Sequence, residues 1–362
     1  MPYQAEALLK FAAAGGASDL HITVGATPLV RVDGILTRAG DEKITPTESA
    51  ALLDALMSPS QRERFATAGD IDFTYSIPGA GRFRVHGFRQ RGSVGIVVRV
   101  LPSVIPTIEE LGLPPVLATF TQARRGLVVV AGPSGSGRST TLAALVDRIN
   151  EERGLHILTL EAPIEYLHKH KRSLVNQREV GLDVPTFSAA LRAALREDPD
   201  VIMLSELSDP DVVADVLVAA ETRQLVLAGF YANTASHTIR KLIEQFPPHR
   251  QEPVRIQLSS TLVGVVAQQL VPRQDQPGRV VAVDILVASP AVRALIRDGR
   301  LAQLDAAIHS GGRYGMVGMA DSLRALWDRG LISQDDLEAR LMLLGETEQV
   351  TAAPVPQGPR PS

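Results

Sequence analysis

The stretch AGPSGSGRSTT, residues 131–141, limits the possible folds more than any other part of the chain. It follows the apolar run GLVVV and leads into a helical pattern from Thr140 to Arg153. A glycine-rich turn between a buried strand and a helix lets backbone N–H groups curl around a phosphate, with the positive helix end pointing at it. Gly132, Gly135 and Gly137 supply the freedom, Ser134, Ser136 and Thr140 complete the cradle, and Ser139 stands where a hydroxyl meets Mg²⁺. Arg138 occupies the position where such loops carry lysine. It keeps the charge but not the shape, because a planar guanidinium is bulkier and favours bidentate contacts where lysine acts as a point charge. A Gly/Ser-rich turn without a ligand is the alternative, and the flanking strand and helix argue against it.

The runs GLVVVAG, HILTLEAP, VIMLSEL and QLVLAGFY are short and almost wholly apolar, as in strands covered on both faces. Helical periodicity separates them at Thr140–Arg153, Thr186–Arg196 and Asp211–Arg223. The alternation predicts an α/β core with a mainly parallel sheet over residues 118–287. Residues 1–100 predict a smaller α/β domain. It has a helix at Ala5–Ala14, paired strands broken at Gly25 and Asp33–Gly34, a helix from Thr47 to about Arg64, and strands in IDFTYSI, GRFRVHGFRQ and VGIVVRVL. The proline-rich residues 101–117 form a linker with a short helix at IEEL. Residues 288–346 read as all-helical, and 347–362 as a disordered, Pro-rich tail.

Charge and composition narrow the functions. A net charge of −3 exerts no bulk pull on nucleic acid or anionic lipid, and 4% aromatics cannot build stacking platforms. Nucleic acid is therefore not an expected partner. The absence of cysteine removes disulfides and thiolate chemistry. The eight histidines lack metal-ligand spacing. No run approaches the roughly 18 apolar residues of a membrane span, and the first residues lack a secretory pattern, so a cytosolic chain is expected.

Three groups of residues could act on a bound phosphate. Glu206 ends the apolar strand of REDPDVIMLSEL, where a carboxylate orients Mg²⁺ or polarises water; a solvated strand-end acid is the alternative. Glu161 and Glu165 flank Pro163 in TLEAPIEY, placed to position water or metal, or only to cap a turn. Arg82 and Arg84 share one face of a strand and could project together toward an anion; a solvated strand face is the alternative. Ser208 and Asp209 before Pro210 read as helix-start chemistry.

With those residues in place, the segments ASDLHITVGATPLVRVDG, GRFRVHGF, GLVVVAGPSGSGRSTTLAAL, HILTLEAPIEYLHKHKRSLVNQREVG, ALRAALREDPDVI and GLISQDDLEARL together resemble the PilT-type twitching-motility ATPases of the type IV pilus, within the secretion-ATPase superfamily. The resemblance runs from about residue 3 to 345. It implies a PAS-like N-terminal domain, a RecA-like core, bound ATP and Mg²⁺, and a hexameric ring at the cytoplasmic face of the inner membrane. The ring would be a homo-hexamer or a mixed ring with an intact motor, working with the pilus platform protein.

The chain departs from the family pattern at the chemistry. Arg138 replaces the loop lysine and Ala162 replaces an aspartate in the acidic box, while Glu161 and Glu165 remain. Ser205-Glu206-Leu207-Ser208-Asp209 stands where the family reads Gly-Glu-Met-Arg-Asp. Tyr231 occupies a histidine position, and Arg223-Gln224 replaces Gly-His. The family's retraction-associated helix survives as AVRALI, residues 291–296. Two readings follow: a catalytically impaired paralogue that joins or regulates an active ring, or a slow working motor using Arg138 as a substitute cation.

Overall fold

The computed structural model describes residues 3–32, 34–102, 104–194 and 196–344. The expected break at Asp33 and the expected tail at 347–362 lie outside these residues, as do the last two positions of the expected helical region.

The N-terminal part opens with α1 (Ala5–Ala14), β1 (Asp19–Ile22), β2 (Leu29–Val32) and β3 (Ile35–Arg38), then α2 (Pro46–Leu56) and α3 (Pro59–Ala68). It closes with β4 (Asp70–Ile77), β5 (Gly81–Gln90) and β6 (Ser93–Leu101). The six strands form an antiparallel sheet in the order β3-β2-β1-β6-β5-β4. One apolar face, including Leu20, Phe83, Val85 and Val98, packs under Leu9 of α1 and Leu53 of α2. The single helix expected from Thr47 to about Arg64 is two helices. Ser58 accepts from the Gln61 N–H while Gln61 accepts from the Ser58 N–H, and Pro59 starts a new first turn. That reciprocal cap begins a helix and cannot sit inside one.

The connection to the core contains a turn, not a helix, at IEEL. Thr107 and Glu110 cap it, but Gly112 enters the left-handed region at φ 68° and two prolines follow. A short α4 (Val116–Phe120) precedes the second sheet.

That sheet comprises β7 (Gly126–Ala131), β8 (His156–Glu161), β9 (Leu174–Glu179), β10 (Val201–Leu204), β11 (Leu225–Phe230), β12 (Leu262–Pro272) and β13 (Arg279–Val287). Its order is β13-β12-β7-β11-β10-β8-β9, and every pairing is parallel except β12 with β13. Between strands run α5 (Arg138–Glu152), α6 (Phe187–Ala194), α7 (Pro210–Thr222), α8 (Ala235–Glu244) and α9 (Pro248–Thr261). Successive residues of β7 enter different cores. Leu127, Val129 and Ala131 meet Val213 and Val216 of α7, whereas Val128 and Val130 meet Leu142 and Leu145 of α5. A strand filled on both faces reads as a continuous apolar run for this reason. After β13 come α10 (Pro290–Arg297), α11 (Leu304–His309), α12 (Met319–Asp328) and α13 (Gln334–Leu344), with Leu323 and Leu337 packed on Val271 and Ala282.

No helix of the described residues is long and apolar enough to cross a membrane.

Candidate functional site

The loop between β7 and α5 lies at the carboxyl end of the parallel strands, where open α/β sheets bind ligands. Gly135 and Gly137 take left-handed φ values of 76° and 89°, which any side chain resists. A Cβ on Gly132 would collide with Ser136 Oγ, so this position needs glycine for space. Gly137 caps α5 without a side chain, which leaves the first-turn N–H groups open to an anion.

Gln268 of β12 was not singled out in the sequence, yet it holds the loop. Its amide donates to the Ser136 carbonyl at 2.8 Å and its Oε1 accepts from Thr141 at 2.9 Å, all buried. No short motif carries this signal, because Gln268 is 132 residues from Ser136. Replacing Gln268 with methionine strands both partners. The expected loss is about 1–3 kcal/mol for each buried group left unpaired, together with weaker nucleotide affinity. Urea unfolding beside an ATP-analogue titration checks both.

The loop faces a cleft of about 660 Å³ between the two domains. Of the residues expected at the site, Ser134, Gly135, Ser136, Gly137, Arg138, Ser139 and Thr140 line it, with Arg84, Glu165 and Glu206. Arg99 and Arg279 join them without having been expected there, so three arginines besides Arg138 border the space. Arg99 is paired with Asp19 at 3.1 Å and Arg84 with Asp72 at 3.5 Å. The cradle suits a phosphate on one further observation: Ser136 Oγ is buried without a hydrogen-bond partner. Thr140 is tied to the Tyr166 hydroxyl at 2.8 Å.

Arg138 is turned toward the protein. Its Nη1 donates to the carbonyl of Phe230, at the end of β11, at 2.8 Å. That carbonyl also accepts the Gly132 N–H, so the guanidinium braces the loop against the neighbouring strand.

The two acidic-box carboxylates have different surroundings. Glu165 lines the cleft, while Glu161 lies beneath it, bordering a small pocket shared with Ser139 and His168. Burial pushes the Glu161 carboxyl up from its ordinary range, opposed by hydrogen bonds from Thr159 at 2.6 Å and Gln177 at 3.0 Å. Arg82 does not line the cleft. Its Nη1 donates to the Ile164 carbonyl at 2.8 Å, and burial lowers its pKa.

The departures from the family pattern separate in space. Ala162 and Ser205 touch, since the Ser205 hydroxyl accepts the Ala162 N–H at 3.1 Å, and both line the cleft. Leu207 is core. Asp209 caps α7 by accepting from Asp211 and Val212, with Pro210 in the first turn. Tyr231 is half exposed, and its ring lies under the Lys241 ammonium at 5.2 Å. Arg223 pairs with Asp198 at 2.8 Å before β11 begins, at the end of the strand away from the loop. Six strand residues put it about 20 Å from the chemistry. This pair of substitutions therefore does not belong to the site.

Residues 3–313 match the family model described as "Type II/IV secretion system protein". The chain is 43% identical to the type IV pilus retractation ATPase PilT of Pseudomonas aeruginosa over 329 residues, covering 91% of this chain and 95% of that protein. It is 38% identical to a twitching motility protein of Neisseria gonorrhoeae, covering 87% of this chain and 84% of that one. A crystal structure of the pilus retraction motor PilT with bound ADP superposes with a TM-score of 0.87 at 42% identity, covering 93% of this chain and 96% of that chain.

Proposed function

The chain belongs to the type II/IV secretion system protein family, and on that premise we propose that it is a PilT-like ATP-binding subunit of a type IV pilus machine whose hydrolysis is impaired. The observation that carries this reading is the Arg138 guanidinium, held by the Phe230 carbonyl in the loop that should grip phosphate. ATP supplies the phosphates that Gly132–Thr140 would cradle, with Arg84 adding charge from the N-terminal domain. Ser139 and Glu206 would hold Mg²⁺, and Glu165 would orient water. Among the described residues no group of three or more acidic, histidine or cysteine side chains could hold a metal unaided. An ion at Ser139 would take its other ligands from phosphate and water.

We place the protein in a cytoplasmic ring at the pilus base, as a homo-hexamer or mixed with an intact motor, against the inner-membrane platform protein. The likeness to the pilus retraction motor PilT over most of the chain supports assembly. A second reading, a slow motor working alone, is favoured by Ser139, Glu165 and Glu206 lining one cleft. Steady-state phosphate release separates the two, using the purified chain alone and mixed with an intact PilT. The expected result is turnover well below 1 s⁻¹ alone; about 1 s⁻¹ or faster, the ordinary enzyme range, overturns the impaired reading.

A further inference from the structure

The backbone of Ile164 is gripped on both sides of its Cα. Its N–H donates to Glu179 Oε2, at the end of β9, at 3.1 Å. Its carbonyl accepts from Arg82 Nη1, on β5 of the other domain, at 2.8 Å. The two grips are themselves joined. Arg82 Nη2 lies 4.0 Å from Glu179 Oε2, and Thr74 Oγ1 on β4 donates to the same oxygen at 3.4 Å. The side chains are little exposed, 14% for Arg82 and 9% for Glu179, so water screens the pair poorly. On the core side the Glu179 N–H donates to Asp183 at 2.8 Å, which keeps the end of β9 in place.

Ile164 sits between Pro163 and Glu165, both of which line the cleft. A guanidinium meant for phosphate should border that space, as Arg84 does two residues further on. We propose that Arg82 is a positioning residue that, with Glu179, latches the N-terminal domain to the loop carrying Glu165. A rotation between the domains would then move Glu165 relative to the phosphate loop. Separating Arg82 from Glu179 leaves a buried charge without its partner, so the latch opens as a unit. Its effect on catalysis rests on the nucleotide reading above; its existence does not.

Hydrogen exchange of the full chain without nucleotide tests the latch in the wild type, Arg82→Gln, Glu179→Gln, the double variant and Arg82→Lys. Each Gln variant should speed exchange across residues 162–167 by about tenfold or more, as expected when a buried charged hydrogen bond is lost. The double variant should add little to either single change, the signature of groups acting together. Arg82→Lys, which retains the charge and one donor, should recover part of the protection. Peptides from β7 and α5 keep wild-type protection, which separates a local release from general unfolding. If Glu179→Gln does not fold, the Arg82 pair alone decides the matter.

A titration with a fluorescent ATP analogue should give an affinity for Arg82→Gln close to wild type, and any residual hydrolysis should fall through kcat with KM held. Unchanged exchange at 162–167, with analogue affinity reduced tenfold or more, overturns the latch and makes Arg82 a direct phosphate ligand. Additive effects of the two Gln variants overturn it as well. Failure of the wild type to bind the analogue overturns the nucleotide reading and leaves the exchange result standing.

Discussion

Arg138→Lys should raise affinity for an ATP analogue by about tenfold or more while turnover stays near that of the wild type. The wild-type guanidinium is bound to the Phe230 carbonyl, and its fork shape suits that brace better than a single phosphate oxygen. A lysine ammonium is compact enough to leave the strand end and face the cleft. It contacts phosphate in the ground state as well as the transition state, so its return shows first as binding. Turnover needs other groups. Ala162 brings no carboxylate, and Tyr231 lies under Lys241 where the family pattern has a histidine. Each missing charge-stabilising group is commonly worth ~10²-fold or more, and members of one set are not additive. Adding Ala162→Asp and Tyr231→His to Arg138→Lys should therefore restore far more rate than the single change. The comparison is phosphate release beside fluorescence titration. Full motor-like turnover from Arg138→Lys alone would sink the impaired-motor reading.

A large stability effect is expected at Asp284→Asn, on the strand next but one to the end of β7. Asp284 is 3% exposed, and its Oδ2 accepts the Ala235 N–H at the start of α8 at 2.8 Å. The other oxygen is buried without a partner among the described residues. Burial, with repulsion from Asp305, pushes the carboxyl from 3.8 up to about 7. Between these values the unfolded chain has released the proton and the fold has kept it, so stability falls as pH rises and levels off above about pH 7. Asparagine keeps an acceptor for Ala235 and carries no charge. It should stabilise the protein at pH 8 by up to about 4 kcal/mol, at 1.36 kcal/mol per pKa unit, and by much less at pH 5. Asp209 behaves in the opposite sense. Backbone hydrogen bonds from Val212 and Asp211 hold its carboxyl low, so its contribution is lost only as pH falls through the acidic range. Urea unfolding of both proteins at pH 5, 6.5 and 8 checks the slope. A difference that does not change with pH removes Asp284 as its origin.

The residues that matter most for the fold were legible because their signals are local. The apolar runs of β7, β8, β10 and β11 follow from burial on both sheet faces, and the glycines at 132, 135 and 137 follow from backbone sterics that no distant contact alters. The family likeness was equally legible, because its motifs lie within single segments. Tertiary structure alone decided which residues meet. Nothing local separates Arg82 from Arg84, yet Arg82 grips Ile164 and Arg84 borders the cleft. Arg138 reads as a phosphate ligand until the end of β11, 92 residues away, is brought beside it. Ser205 and Ala162 read as two independent losses until they share a hydrogen bond. Arg223 reads as a third until the direction of β11 carries it to the other end of the sheet. Spacing along the chain reports on backbone geometry and burial. The partner of a side chain depends on strand order and domain packing, which join residues that no local pattern connects.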